Sequence, residues 1–248
     1  MHFLLMGEGA SDLGSENNPG PLIVPLERLA RDITGKEEEG FPYGYVRKTQ
    51  VENAAKSFER EQSRKKILLR GKKRKFATLA SFERMATGLG LVALSSGKNT
   101  GAVFFHDCDY TRSEVSPSDK YYEQLVCSIE RGFEQARFQC GVPMVPKPRS
   151  ESWFLCHYQK HPYRNCRRFE DLPANDAARN SGKKKLAEFL GCPENQIYQK
   201  IEPEKVDWSR IDAPSFLFFK KRFQHVVERL TNRPFTYPEQ ETLMSCQP

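Results

Sequence analysis

Three short apolar runs constrain the fold of this chain more than any other feature of its sequence. They cover residues 2–7, 101–106 and 142–145, and none of them shows the alternation of polar and apolar residues that a half-exposed strand would have. Uninterrupted runs of this length are typical of strands that are buried on both faces of a parallel sheet. The first two runs are followed at once by acidic residues.

Helical patterns separate these runs. Apolar residues at helical spacing, or dense charge, predict helices over residues 23–33, 52–64, 76–94, 118–138, 177–190 and 215–230, and a further helix that opens at Glu151. Gly35 is expected to stop the first helix, Gly88 and Gly90 to mark the frayed end of the third, and residues 45–51 to form another strand. The alternation predicts an α/β fold over residues 1–157, with a mainly parallel sheet flanked by helices. Residues 158–248 are predicted to form a helical extension packed on that core.

The composition excludes several classes of protein. In 248 residues, 38% are hydrophobic and 29% are charged, which is typical of a folded globular protein and not of a disordered chain. No run approaches the roughly 18–20 apolar residues of a membrane span, and no basic leader precedes the first apolar run. The seven cysteines are irregularly spaced. We therefore expect a cytoplasmic protein with reduced thiols and no membrane contact.

The net charge of +7 is concentrated in one segment of twelve residues. Removing its basic residues leaves 31 basic and 32 acidic residues in the rest of the chain. Such a cluster is typical of contact with a polyanion such as DNA or RNA, although a nuclear-localisation signal or a solvated loop would have the same composition. The basic run consists of Arg64, Lys65, Lys66, Arg70, Lys72, Lys73, Arg74 and Lys75.

The acids that follow the apolar runs suggest a metal site. In parallel sheets, side chains at the carboxyl ends of the strands converge on one crevice. If the first two strands are neighbours, Glu8 meets Asp107 and Asp109 there, and three carboxylates so close together require a divalent cation or raised pKa values. Oxygen ligands favour Mg²⁺ or Mn²⁺. The alternative is that Glu8 caps a helix and the two aspartates are turn residues.

Three motifs together resemble the Toprim domain, in its small bacterial form related to nucleases of the overcoming-lysogenization-defect family. They are FLLMGEGASD at residues 3–12, VFFHDCD at 103–109 and VPKPRSESWFL at 145–155. The resemblance covers residues 1–157 and implies that Glu8, Asp107 and Asp109 bind Mg²⁺ for work on phosphodiester bonds, with Glu151 as a further acid. Because no tyrosine-nucleophile domain or zinc-binding primase module accompanies the motifs, the resemblance implies a nuclease. It also implies a place in bacterial anti-phage or mobile-element defence, with a partner ATPase that controls the activity.

The chemistry of phosphodiester hydrolysis adds a role for cations. A metal polarises the phosphoryl oxygen and generates hydroxide, and positive groups stabilise the charge that develops in the transition state. Lys147 and Arg149 are candidates for that second role, although both are equally consistent with ordinary surface charge. The basic run would hold the nucleic-acid backbone without reading its sequence.

Two other functions are consistent with the same residues. The stretch from Asp107 to Thr111 matches the Asp-x-Asp-x-Thr signature of haloacid-dehalogenase-like phosphatases, in which Asp107 would be the nucleophile and Asp109 the general acid. The strand that carries this signature normally begins the phosphatase fold, whereas about 100 residues precede it here. A non-catalytic nucleic-acid-binding subunit with the same fold is the other alternative.

Two further clusters have competing interpretations. Cys156, His157, His161 and Cys166 lie close enough in sequence to suggest zinc, but their spacing matches no common zinc pattern, and buried thiols with surface histidines are the alternative. Trp153, Phe154 and the aromatic run at 216–219 are expected to belong to the core and not to a base-stacking surface.

Overall fold

The computed structural model of the protein describes residues 1–7, 12–35, 41–65, 79–109 and 117–231. The strands in these ranges are β1 (His2–Gly7), β2 (Gly14–Ser15), β3 (Asn18–Pro19), β4 (Tyr43–Tyr45), β5 (Thr100–Phe105) and β6 (Gly141–Met144). The helices are α1 (Ile23–Thr34), α2 (Lys48–Lys65), α3 (Ala80–Ser96), α4 (Asp119–Gln135), α5 (Glu151–Tyr158), α6 (Gly182–Leu190), α7 (Ile197–Lys200) and α8 (Pro214–Leu230). Short 3-10 helices occupy Cys166–Asp171, Glu194–Gln196, Pro203–Lys205 and Trp208–Arg210. None of the helices within these ranges is long and apolar enough to cross a membrane.

Four of the described strands form a parallel sheet in the order β4-β1-β5-β6. The chain leaves β1 toward β4 on one side and later builds β5 and β6 on the other side, so the order reverses between β1 and β5. In open α/β sheets, ligands bind outside the carboxyl ends of the strands at such a switch point. The structure therefore confirms the predicted α/β class and its parallel sheet flanked by helices. The two strands that precede the acids are neighbours.

Alternate residues of the central strands face two separate apolar layers, as the period of a strand requires. Leu4 and Phe104 pack with residues of α2, α3 and α4 on one face. Leu5 and Phe105 pack with residues of α1, α5 and α8 on the other face. The sheet is thus covered on both sides, which explains why its strands read as continuous apolar runs.

The region after residue 157 contributes to the same apolar cluster as β1. The ring centroids of Phe3 and Phe223 are 5.2 Å apart, and Trp153 lies 5.0 Å from Phe216. The Trp153 Nε1–H donates a hydrogen bond of 2.9 Å to the Ser215 hydroxyl at the start of α8. Trp153, Phe154, Phe216 and Phe219 are fully buried, as expected for core residues. The expectation is wrong for Leu217, which lies on the outer side of α8 and is 46% exposed.

The glycines confirm one expectation and correct another. Gly35 ends α1 with φ 66°, a left-handed conformation that glycine adopts without strain, and its N–H caps the Arg31 carbonyl. Gly88 does not mark a frayed end, because α3 continues eight residues further to Ser96. A Cβ atom on Gly88 would approach the Val51 carbonyl oxygen of α2, so this glycine allows two helices to pack closely. The strand expected at 45–51 is also wrong beyond Tyr45, since α2 begins at Lys48.

Candidate metal and nucleic-acid site

The candidate site lies where β1 and β5 end side by side. Gly7 pairs with Phe105 in the parallel register, so the residues that follow these strands leave the sheet at the same edge. Asp107 and Asp109 follow β5 there. Glu8, the residue after Gly7, lies outside the described residues. The position of Asp107 and Asp109 at the switch point agrees with the placement that the sequence predicts.

Ser150 joins two carboxylates at this edge. Its backbone N–H donates a hydrogen bond of 3.0 Å to Asp107 Oδ1, and its hydroxyl donates one of 2.5 Å to Asp12 Oδ1. Ser150 and Asp12 are both buried. Because Ser150 immediately precedes α5, this helix is placed so that its first residue, Glu151, also faces the edge.

Tyr198 of α7 completes the cluster from the C-terminal part of the chain. Its hydroxyl lies 3.3 Å from Asp12 Oδ1 and 3.4 Å from Glu151 Oε1. Glu151 is only 3% exposed. The helical region after residue 157 therefore supplies a side chain to the same site as β5.

Crowding and burial disfavour the charged forms of these acids. Withdrawal from water raises the pKa of Asp107 well above its usual range, and the nearby Asp12 and Glu151 raise it further. Burial is also the main cause that raises the pKa of Glu151 to about 7, and repulsion from Asp12 adds to it. Arg149 opposes both shifts. Because these acids are buried and close together, a proton or a cation bound among them stabilises the folded protein.

The two cations predicted for catalysis occupy different environments. Arg149 lies on the acidic edge, where it forms ion pairs of 2.9 Å with Asp109 and 3.1 Å with Asp176. Lys147 is buried and forms an ion pair with Asp119 at the start of α4. The structure thus brings Arg149 to the site but directs Lys147 toward a different helix.

The acidic cluster fits a hard divalent cation in its donor chemistry. Asp12, Asp107 and Glu151 offer carboxylate oxygens, which Mg²⁺ and Mn²⁺ prefer, and their mutual repulsion would be relieved by such an ion. In the part of the chain that the structure describes, no three of these acids have oxygens all within 4.8 Å of one another. Hydroxyl groups of Ser150 and Tyr198 lie between the carboxylates instead. Among the described residues these acids are therefore grouped at one edge, but three of their oxygens do not surround a common point.

The structure supplies two site residues that the sequence reasoning missed. Asp12 follows Glu8 by four residues in the segment after β1, a spacing that could have marked it as a second acid of the same loop. Tyr198 lies 186 residues from Asp12, and nothing in its local sequence distinguishes it.

The basic run lies almost wholly outside the described residues. Arg64 and Lys65 end α2, but Lys66, Arg70, Lys72, Lys73, Arg74 and Lys75 are not described. Its role in binding nucleic acid therefore stays a prediction.

The cysteine–histidine cluster differs from both interpretations of the sequence. Cys156 and Cys166 are paired in a disulfide and Cys127 is also disulfide-bonded, so the expectation of reduced thiols is wrong for these three residues. Asp212, and neither histidine, lies with the two sulfurs. The His157 ring instead meets the Tyr163 hydroxyl at 2.7 Å. Spacing alone could not reveal the pairing, because it depends on the turn that brings the 3-10 helix at Cys166–Asp171 back against α5.

Comparison with known proteins gives no relative for this chain. No family model, no curated protein and no solved structure matches it. Its function must therefore be inferred from the residues of the site itself.

Proposed function

We propose that this protein is a metal-dependent nuclease with a Toprim-like core, which hydrolyses phosphodiester bonds in DNA or RNA. The observation that carries the proposal is the group of buried acids at the switch point between β1 and β5, with Arg149 beside them. Such a group is costly to fold without a cation, and ligand sites of α/β sheets lie at this position.

The proposed ligands are oxygen donors from three segments of the chain. Asp107 and Asp12, which Ser150 holds together, would bind Mg²⁺ or Mn²⁺ with Asp109 and Glu8, and Glu151 would act as a further acid. When bound, the ion supplies Lewis-acid activation of the phosphate and a water of lowered pKa. Ser150 orients the ligands through its two hydrogen bonds, and Tyr198 keeps the carboxylates of Asp12 and Glu151 at a fixed separation.

Arg149 has the position for stabilising negative charge on the substrate. One of its guanidinium nitrogens, Nε, is buried without a hydrogen-bond partner among the described residues. Its other two nitrogens are held by Asp109 and Asp176, so the group is fixed at the acidic edge. A fixed cation at this edge can stabilise the charge that develops on a phosphoryl group without reorganising first. In this proposal Asp109 acts both as a metal ligand and as the residue that orients Arg149.

The proposed partner is the backbone of a nucleic acid, held by the basic run at Arg64–Lys75. Neutralising Lys72, Lys73, Arg74 and Lys75 together should weaken binding and reduce its dependence on salt. On B-form DNA, the slope of the logarithm of the binding constant against the logarithm of the salt concentration should become less steep by about 0.9 for each phosphate that the variant no longer neutralises.

On the same Toprim resemblance, we propose that the protein acts in the bacterial cytoplasm, in anti-phage or mobile-element defence, under the control of a partner ATPase.

One assay distinguishes the nuclease from the two alternative functions, a phosphatase and a non-catalytic binding subunit. Purified protein is incubated with plasmid, linear DNA and tRNA in Mg²⁺, Mn²⁺ or EDTA, and with para-nitrophenyl phosphate in parallel. The proposal predicts cleavage of at least one nucleic acid that requires the metal, and no release of nitrophenol. Release of nitrophenol without nucleic-acid cleavage would favour the phosphatase with Asp107 as nucleophile. Binding without cleavage in any metal would favour the non-catalytic subunit.

A further inference from the structure

A cavity opens at the same edge of the sheet, on the face opposite the acids. Its volume is about 320 Å³, and it lies between the ends of β1 and β5 and the first turns of α2 and α3. The lining includes Gly7 and His106 from the strand ends, Phe82 and Arg84 from α3, and Lys48 from α2. A volume near the lower end of the roughly 300–1,000 Å³ range of small-ligand pockets suits a base with its sugar better than a larger ligand.

The lining combines aromatic rings with two cations, Lys48 and Arg84, and one acid, Glu52. Arg84 already forms an ion pair of 2.7 Å with Glu59 of α2, so Lys48 is the cation left at the rim. The Phe82 and His106 rings are in contact, with centroids 4.5 Å apart, and Phe104 lies beneath them in the core. Lys48 is exposed at the rim. Aromatic faces beside a basic group are the combination with which proteins bind unpaired bases, because every base has a π-face and the sugars of the strand are joined by negatively charged phosphates.

The cavity and the proposed catalytic edge adjoin the same strand end from opposite faces of the sheet. His106, which lines the cavity, directly precedes Asp107, so their Cα atoms are separated by only about 3.8 Å. A strand whose phosphate lay against the acids would therefore carry its adjacent base to the mouth of the cavity. The basic run also ends four residues before Leu79, where the chain enters α3 and this rim.

We propose that this cavity binds one unpaired nucleobase next to the phosphodiester bond that is cleaved. The inference rests on the proposed nuclease function and deepens it. It assigns the substrate class as single-stranded nucleic acid, or a strand whose base can leave the helix. A base held in a Watson–Crick duplex is stacked and paired, and it cannot enter without first being extruded.

The test compares two oligonucleotides of equal length and charge in EDTA, so that no cleavage occurs. One is single-stranded oligo-dT, and the other replaces its bases with abasic sugars. Fluorescence anisotropy gives the affinity for each. The wild-type protein should bind the oligonucleotide with bases roughly tenfold more tightly, which is the usual size of a base–aromatic stacking contribution. Phe82→Leu keeps the apolar contact with the core but should abolish most of this preference, and Phe82→Tyr should retain it.

Phe58→Leu is the matched control. Phe58 is also a partly buried phenylalanine of the same helical layer, but it lines a different cavity between α2, α3 and the end of α4. This variant should keep the wild-type preference. Equal binding of the two oligonucleotides by the wild type would overturn the proposal, and so would a preference that survives in a folded Phe82→Leu protein.

The outcomes also separate this proposal from the nuclease function. A preference that depends on Phe82, in a protein that cleaves nothing in Mg²⁺ or Mn²⁺, would support the base site and contradict the nuclease. Metal-dependent cleavage with no preference for bases would contradict the base site and leave the nuclease standing.

Discussion

His106 and Asp107 are neighbours that directly follow β5, yet their side chains lie on opposite faces of the sheet. The His106 ring packs against Phe82 of α3, whereas the Asp107 carboxylate accepts a hydrogen bond from Ser150 before α5. One edge of the sheet therefore has an acidic side and an aromatic side. The two proposals therefore assign phosphate chemistry and base binding to consecutive residues, whose side chains point to opposite faces as the period of a strand requires.

The largest effect is expected from a substitution that changes only the acidic side of this edge. Asp107→Asn removes a charged ligand while it keeps an oxygen for the Ser150 N–H, so we expect cleavage to fall by at least about 10²–10³-fold. Binding of the uncleaved nucleic acid should be unchanged or slightly tighter, because a negative charge near phosphate is removed. Gel assays for cleavage and anisotropy for binding give the two values. Undiminished cleavage by a folded variant would remove Asp107 from the mechanism.

The second effect concerns stability without metal. The pKa of Glu151 is raised from 4.5 to about 7, so the folded state binds a proton more tightly than the unfolded state between these values. The free energy of unfolding contributed by this group is fully present below pH 4.5. It should fall by about 3 kcal/mol as the pH rises through 7.

Urea unfolding in EDTA at several pH values measures this dependence. Glu151→Gln should reduce it without removing it, because the pKa of Asp107 is raised as well. Glu188→Gln, which changes an exposed residue of α6, should leave it unchanged. Added Mg²⁺ should restore stability mainly at the higher pH. The same slope in the Glu151→Gln variant would show that another group causes the decline.

The third effect separates Arg149 from Lys147. Arg149→Ala removes the cation fixed at the acidic edge, and we expect turnover to fall by about 10–100-fold. Lys147→Ala should change turnover little, since its ion pair is with Asp119, whose side chain is 80% exposed and stays hydrated. Its cost should appear in stability, at about 1–2 kcal/mol, because the buried stem no longer packs. Steady-state kinetics and thermal unfolding of both variants measure these effects. A large loss of turnover in Lys147→Ala with little loss in Arg149→Ala would contradict this assignment.

The smallest effect tests the contribution of α7 to the site. Tyr198→Phe removes only the hydroxyl between Asp12 and Glu151, so we expect Mn²⁺ affinity to fall by up to about tenfold. Tyr158→Phe is the control, because the Tyr158 hydroxyl accepts a hydrogen bond from the Glu202 N–H, away from the acids. Equal Mn²⁺ affinity in both variants would assign Tyr198 a purely structural role.

The sequence predicted the parts of this site that depend on local pattern. Continuous apolar runs indicated buried parallel strands, and the acids after them marked the carboxyl edge. The pattern could not separate Lys147 from Arg149, which are two residues apart, because their different ion pairs depend on where α4 and residue 176 lie in the fold. Tyr198 could not be predicted for the same reason, since it enters the site through the packing of α7 on α6 and of α6 on α5.

The glycines of α3 show a further limit of sequence reasoning. Low helix propensity suggested that the helix frays at Gly88, but close packing against α2 outweighs the intrinsic cost of glycine in a helix. Tertiary packing decided the length of this helix, and a single helix considered by itself contains no information about that packing.

Calorimetric titration with Mn²⁺ in the absence of nucleic acid tests the central claim most directly. We predict saturable binding by the wild-type protein, binding at least about tenfold weaker in Asp107→Asn, and no change in Asp171→Asn, which alters an exposed acid away from the edge. Identical isotherms for the wild-type and Asp107→Asn proteins would contradict the claim that the acids between β1 and β5 form a metal site.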